Sequence, residues 1–255
     1  MFDPPGPRAR RRTRVVTAVS LVVVGALVAL AVRQFADNGQ LNPDRWRPYL
    51  TWPMWRYLLI GLRATVLAAV ATGVLAMAGG LLLAVTRSRI ARAYVEVMRT
   101  VPVLLIIYVM LFVLPSYGLD LPLFWKLVVP LALSHAALYA GIFRAGVAAV
   151  DRGQREAGLS LGMTERQALR AVVLPQAVRN MAPSLVSQTV GLLKDTALGY
   201  VVSYTELLHS GRVLANYNHL LIQTYIVIAV VYLAVNLALS QLSRYLEVSL
   251  ARTAR

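Results

Sequence analysis

The sequence predicts an all-α fold, a polytopic bundle of membrane-crossing helices, and three observations carry that reading. Hydrophobic residues make up 58% of the 255, and mean hydropathy is +0.62, against roughly half apolar in an ordinary soluble domain. Several apolar runs reach the roughly 20 residues needed to cross about 30 Å of hydrocarbon. The basic residues behind a formal net charge of +15 gather in the segments between those runs. In a soluble chain that charge would suggest nucleic acid. Here it reads as loops held on the cytoplasmic side of a lipid bilayer, with no nucleic-acid partner.

The elements follow in order. Residues 1–14 form a basic tail, and the apolar run from Val15 to Val32 begins the first of six expected spans, at about 15–34, 57–85, 94–115, 122–149, 182–203 and 220–243. The tail, the run and the alanines near its end also fit a cleavable signal peptide, but the length of the run favours a retained helix. With the N-terminus inside, 18 of the 26 basic residues fall on the cytoplasmic side and 6 outside, as the positive-inside rule expects. Both termini are then cytoplasmic. Trp46, Tyr49, Trp52 and Trp55 suit a belt at the outer headgroups.

Within the second span Ala64, Ala68, Thr72, Ala76, Gly80 and Ala84 recur every four residues, and Ala137, Gly141, Ala145 and Ala149 repeat the pattern in the fourth. Such stripes let helix backbones approach closely, so packing is expected of both. Pro102 and Pro115 are expected to kink or end the third span. The chain reads as 1–54, a basic tail with an extra N-terminal helix and an outer segment, followed by one transmembrane domain over 55–247 with a long cytoplasmic loop at 150–181.

That loop is the polar exception. Asp151 with Gln154 is expected to form a capping box and start a helix near Arg152. Gly162 is placed to end it. Thr164 with Gln167 is expected to start a second helix running to about Val173, just short of Pro175. Ala157 and Leu161 share one face of the first helix, with Gly158 beside them. That surface fits a groove in a partner or the headgroup layer of the membrane.

Glu156-Ala157-Gly158, three residues, Gly162, nine residues, Val172, one residue and Leu174-Pro175 resemble the cytoplasmic signature of ABC importer permeases, Glu-Ala-Ala, three residues, Gly, nine residues, Ile, one residue, Leu-Pro. Gly158 stands for the second alanine and Val172 for isoleucine. Further segments, "GQREAGLSLGMT", "VVLPQAVRNMAPSL", "GLLKDTAL" and "YVEVMRTVPVLLIIYVMLFVLP", are similar to the branch that takes up polar amino acids such as histidine, glutamine and glutamate. The resemblance covers about 55–245.

It implies a bacterial cell-membrane permease with five core spans plus the added N-terminal one. Glu156, Ala157, Gly158, Gly162, Leu174 and Pro175 would form the element that docks on a cytoplasmic ATP-binding subunit. The remaining partners would be a second permease, identical or homologous, and an extracytoplasmic amino-acid-binding protein. Glutamate or glutamine is the expected substrate, moved inward by alternating access. ATP and magnesium belong to the partner subunit, since this chain has no G-x-x-x-x-G-K-[ST] phosphate loop, binds no cofactor or metal of its own and is not expected to be an enzyme. The family usually carries a glutamate three residues before the arginine matching Arg144, where this sequence has Gly141.

Charges inside spans are costly and face a bundle interior or a cavity. Lys194 and Asp195, read as mid-span, either brace the bundle or line the substrate path together with Thr196. His135 is expected to be an interhelical hydrogen-bonder, and Glu96 with Arg99 a surface pair one i,i+3 step apart. An ion-coupled secondary transporter is the rival reading. It would want several acidic residues within spans, and only Asp195 is clearly so placed.

Overall fold

The computed structural model describes residues 6–86 and 88–252, and no strand occurs among them. It divides into two units, Met1–Met54 and Trp55–Arg255. The first is dominated by α1, Pro7–Asp37, which opens with a proline in its first turn, where the missing N–H is not needed. Residues 11–34 of α1 are exposed along their whole length.

The second unit is built around α5, Leu123–Ala148. It is flanked by α2 (Trp52–Val85), α3 (Arg89–Thr100), α4 (Val103–Ser116), α7 (Leu174–Asp195), α8 (Leu207–Asn218) and α9 (Leu221–Arg252). The short helix α6, Arg152–Ser160, lies in the loop between α5 and α7. The small-residue stripe of α2 turns inward, with Ala68, Thr72 and Ala76 fully buried. At Gly80 a methyl group would sit 2.7 Å from Tyr139 Cβ and 3.0 Å from the Ala136 carbonyl, so α2 and α5 meet backbone to backbone, as the stripe predicts.

Helix α5 has 67% of its apolar window buried, against 22% for α2 and 17% for α9. Polar bonds tie its neighbours to it: Arg144 donates to the Leu83 carbonyl of α2 at 2.6 Å, and Tyr94 of α3 donates to the Leu133 carbonyl at 3.0 Å.

The third span bends where Pro102 is expected to kink or end it: α3 and α4 meet at 99°. Pro102 supplies no N–H and drives Val101 into extended backbone, which ends α3. Two expectations change. Pro175 does not end a helix. A π turn at Leu169–Val173 precedes it and the chain runs on as α7; the wider turn absorbs the proline ring and its missing donor.

The expected six spans become four helices long and apolar enough to cross a membrane, or five with α3 and α4 taken as one bent span. Helix α7, which replaces the expected 182–203, is too polar to count on composition alone.

Between α7 and α8 lies a buried acid that the sequence reading passed over. Glu206 is fully buried, and its carboxylate accepts from the Leu208 and His209 N–H groups at 2.7 Å and from the Tyr232 hydroxyl at 3.0 Å. It caps α8 and ties it to α9. Burial pushes its carboxyl above the ordinary carboxylate range against the pull of those donors.

The α2–α5 contact makes a direct prediction. Gly80→Val should destabilise the purified protein in detergent by about 1–3 kcal/mol, read as a lower unfolding midpoint. Gly73→Val, with nothing within 4 Å of its methyl position, should leave the midpoint near the parent value.

Candidate functional site

The cytoplasmic loop folds as an elbow. Asp151 caps α6 by accepting from the Gly153 N–H at 2.7 Å. Gln154 does not close the expected capping box, because its side-chain oxygen accepts from Gln176 at 3.2 Å instead. Helix α6 ends in a Schellman turn: the Gly162 N–H reaches the Leu159 carbonyl and the Met163 N–H the Gly158 carbonyl, with Gly162 at φ +83°. That conformation favours glycine. Thr164 and Gln167 form the expected capping box on the next turn, Glu165–Ala168. Arg155 and Glu165 close the elbow as a bidentate pair, at 2.9 and 2.5 Å.

Of the predicted docking residues, Glu156 and Ala157 are exposed on α6, with Leu161 beside them 81% exposed. Gly158 turns the other way and is buried against Ala168, Met163 and Val172. Leu174 and Pro175 sit at the start of α7. The motif therefore splits. Glu156 and Ala157 present a surface, while Gly158, Gly162 and Pro175 shape the joint beneath it.

Within the bundle, Lys194, Asp195 and Thr196 do not converge. They lie at the end of α7, where the helix gives way to a 3₁₀ turn over Thr196–Tyr200, rather than mid-span. Thr196 is fully buried and donates to the Leu193 carbonyl at 2.6 Å. Lys194 borders a recess with Tyr225, Tyr232 and Asn236. Asp195 Oδ2 lies 3.1 Å from His135 Nε2, and Gln188 donates to His135 Nδ1 at 2.8 Å. Both ring nitrogens of His135 are held by side chains of α7. His135 is thus the interhelical bonder expected of it, and Asp195 braces α5 against α7. Tyr139 adds a second tie by donating to Thr189 at 3.1 Å.

A cavity of about 550 Å³ opens between α3, α5 and α7, lined by Arg99, Gly141, Asn180, Ser184 and Gln188 among apolar residues. The upper stripe of α5 behaves unlike that of α2: Ala137 is buried, but Gly141, Ala145 and Ala149 line this cavity rather than a packed seam. Glu96 makes no ion pair with Arg99 among the described residues. The readable signal for this site is the polar series Asn180, Ser184, Gln188, one turn apart on one face of α7.

The model of the binding-protein-dependent transport system inner membrane component family matches residues 69–252. The chain belongs to this family. It is 34% identical over 226 residues to the glutamate transport system permease protein GluD of Corynebacterium glutamicum, covering 83% of this chain and 82% of that protein. It is 32% identical over 211 residues to the glutamate/aspartate import permease protein GltK of Escherichia coli, covering 76% and 94%.

Among solved structures, an amino acid ABC transporter with histidines superposes with a TM-score of 0.72 at 31% identity, over 75% of this chain and 93% of that one. The MetNI methionine ABC transporter, at 20% identity and a TM-score of 0.59, shares the fold. Membership in an inner-membrane transport family accounts for the apolar helices and sets aside the ion-coupled rival.

The packing of Gly158 makes a second prediction. An added methyl there meets its neighbours at 3.4–3.6 Å, which is ordinary contact. Gly158→Ala should therefore stabilise α6 by about 0.5–1 kcal/mol through lower backbone entropy in the unfolded loop, read as slower amide exchange over residues 152–160.

Proposed function

We propose that this chain is a permease subunit of an ATP-driven, binding-protein-dependent importer for a polar amino acid, with glutamate or glutamine as the leading substrates. The observation that carries the mechanism is the elbow: a short helix with an apolar, exposed tip, held rigidly on the rod that becomes α7. Glu156, Ala157 and Leu161 meet a cytoplasmic ATP-binding subunit. Gly162, Leu174 and Pro175 set the joint through which movement of that subunit reaches the bundle.

ATP and its magnesium sit on the partner, and this chain does no hydrolysis. A second permease, identical or homologous, completes the pathway, and an extracytoplasmic binding protein delivers substrate to the outer face. Both termini of the chain are cytoplasmic in this arrangement. The names and identities of the relatives support the amino-acid substrate, and the positive-inside count supports the orientation.

Leu161→Asp places a charge on the exposed tip without touching the joint. It should abolish co-purification of the ATP-binding subunit or uncouple its hydrolysis from uptake, while the variant still reaches the membrane. Gly162→Asp, strained at a positive φ, should act in the same direction through the joint. Retained co-purification with normal uptake in both variants would sink the docking role.

A further inference from the structure

The cavity between α3, α5 and α7 holds one charged group, and we propose that it is a carboxylate site in which Arg99 binds the transported amino acid. The geometry rests on Gly141. A methyl built on that glycine would lie 3.6 Å from Arg99 Nη1, so a side chain at 141 long enough to carry a carboxylate would meet the guanidinium. Glycine leaves the guanidinium open to the cavity, and it makes no ion pair or hydrogen bond among the described residues.

No acidic side chain lines the cavity. Asn180 and Ser184 bring side-chain donors from one face of α7, neither bonded to another described residue, while Gln188 is committed to His135. A guanidinium presents paired donors that match a carboxylate, and an amide and a hydroxyl can satisfy its remaining lone pairs. The volume of about 550 Å³ lies within the range of small-molecule sites. A cationic amino-acid side chain placed there would meet Arg99 with nothing to offset the like charge. The site therefore selects anionic or neutral amino acids, with Arg99 as the group that reads the carboxylate.

This assignment rests on the permease reading proposed above, and the test separates the two. Radiolabelled glutamate, glutamine and arginine are measured by equilibrium binding to the purified permease–ATPase complex without binding protein, and by uptake into vesicles with it. Gly141→Glu, which supplies Arg99 with an internal carboxylate, should weaken glutamate binding about tenfold or more. Gly141→Gln, of equal length without the charge, should weaken it far less and reports on the fold. Arg99→Gln should reproduce the loss seen with Gly141→Glu.

A parallel loss for glutamine assigns the α-carboxylate to Arg99; a loss confined to glutamate assigns the side-chain carboxylate. Unchanged binding in both charge variants overturns the assignment, as does Arg99→Gln separating the permease subunits, which would give the guanidinium a partner-chain acid instead. If the parent complex neither binds nor imports any of the three amino acids, the substrate assignment made under the proposed function falls, and this site with it.

Discussion

The backbone contact between α2 and α5 is the constraint on which the rest of the bundle depends. Helices in hydrocarbon gain little by hiding apolar surface from one another, so association rests on close packing and on polar groups that find partners inside the protein. Gly80 admits Tyr139 and the Ala136 carbonyl to the surface of α2. With α2 that close, α5 becomes the hub, and its polar residues fall within reach of neighbours on several sides. A larger residue at position 80 would move the wall against which His135, Tyr139 and Arg144 are set.

Most of the interior polarity then serves to join helices. Arg144 reaches α2, Tyr94 reaches α5, Tyr204 donates to the Ala64 carbonyl, and Glu206 gathers three donors from α8 and α9. His135 bridges to Asp195 and Gln188. The guanidinium of Arg99 is not among these ties: like Lys194, it makes no ion pair or hydrogen bond among the described residues. Polar groups committed to one another hold the frame still, and a group left without a mate is available to something that arrives.

Much of this was legible in the sequence because local chemistry decides it. Gly162, the Thr164–Gln167 box and the α2 stripe each depend on neighbours within a turn or along one helix face, and each forms as read. What escaped depends on partners far along the chain. Gln154 was drawn away from its cap by Gln176, and Gly158 faces inward onto Ala168, Met163 and Val172. Lys194 and Asp195 divide between two surfaces, Lys194 toward α9 and Asp195 toward α5, as adjacent helix positions about 100° apart do. Glu206 could not be recognised as buried without α9 folded over it, and Arg99 looked like half of a surface pair until Gly141 appeared across from it.

The π turn at Leu169–Val173 has a mechanical consequence. Because Pro175 does not interrupt the chain, helical backbone runs without a break from Glu165 to Asp195, a strut of roughly 45 Å at about 1.5 Å per residue. One end is clamped to the elbow by Arg155, and the other is latched to His135. Such a strut ties the elbow mechanically to the contact between Asp195 and His135, and its two points of compliance are the π turn and Pro183 inside α7. Were it to tilt as one body, about 5° at the elbow would carry the far end through about 4 Å over that length, more than the reach of a hydrogen bond.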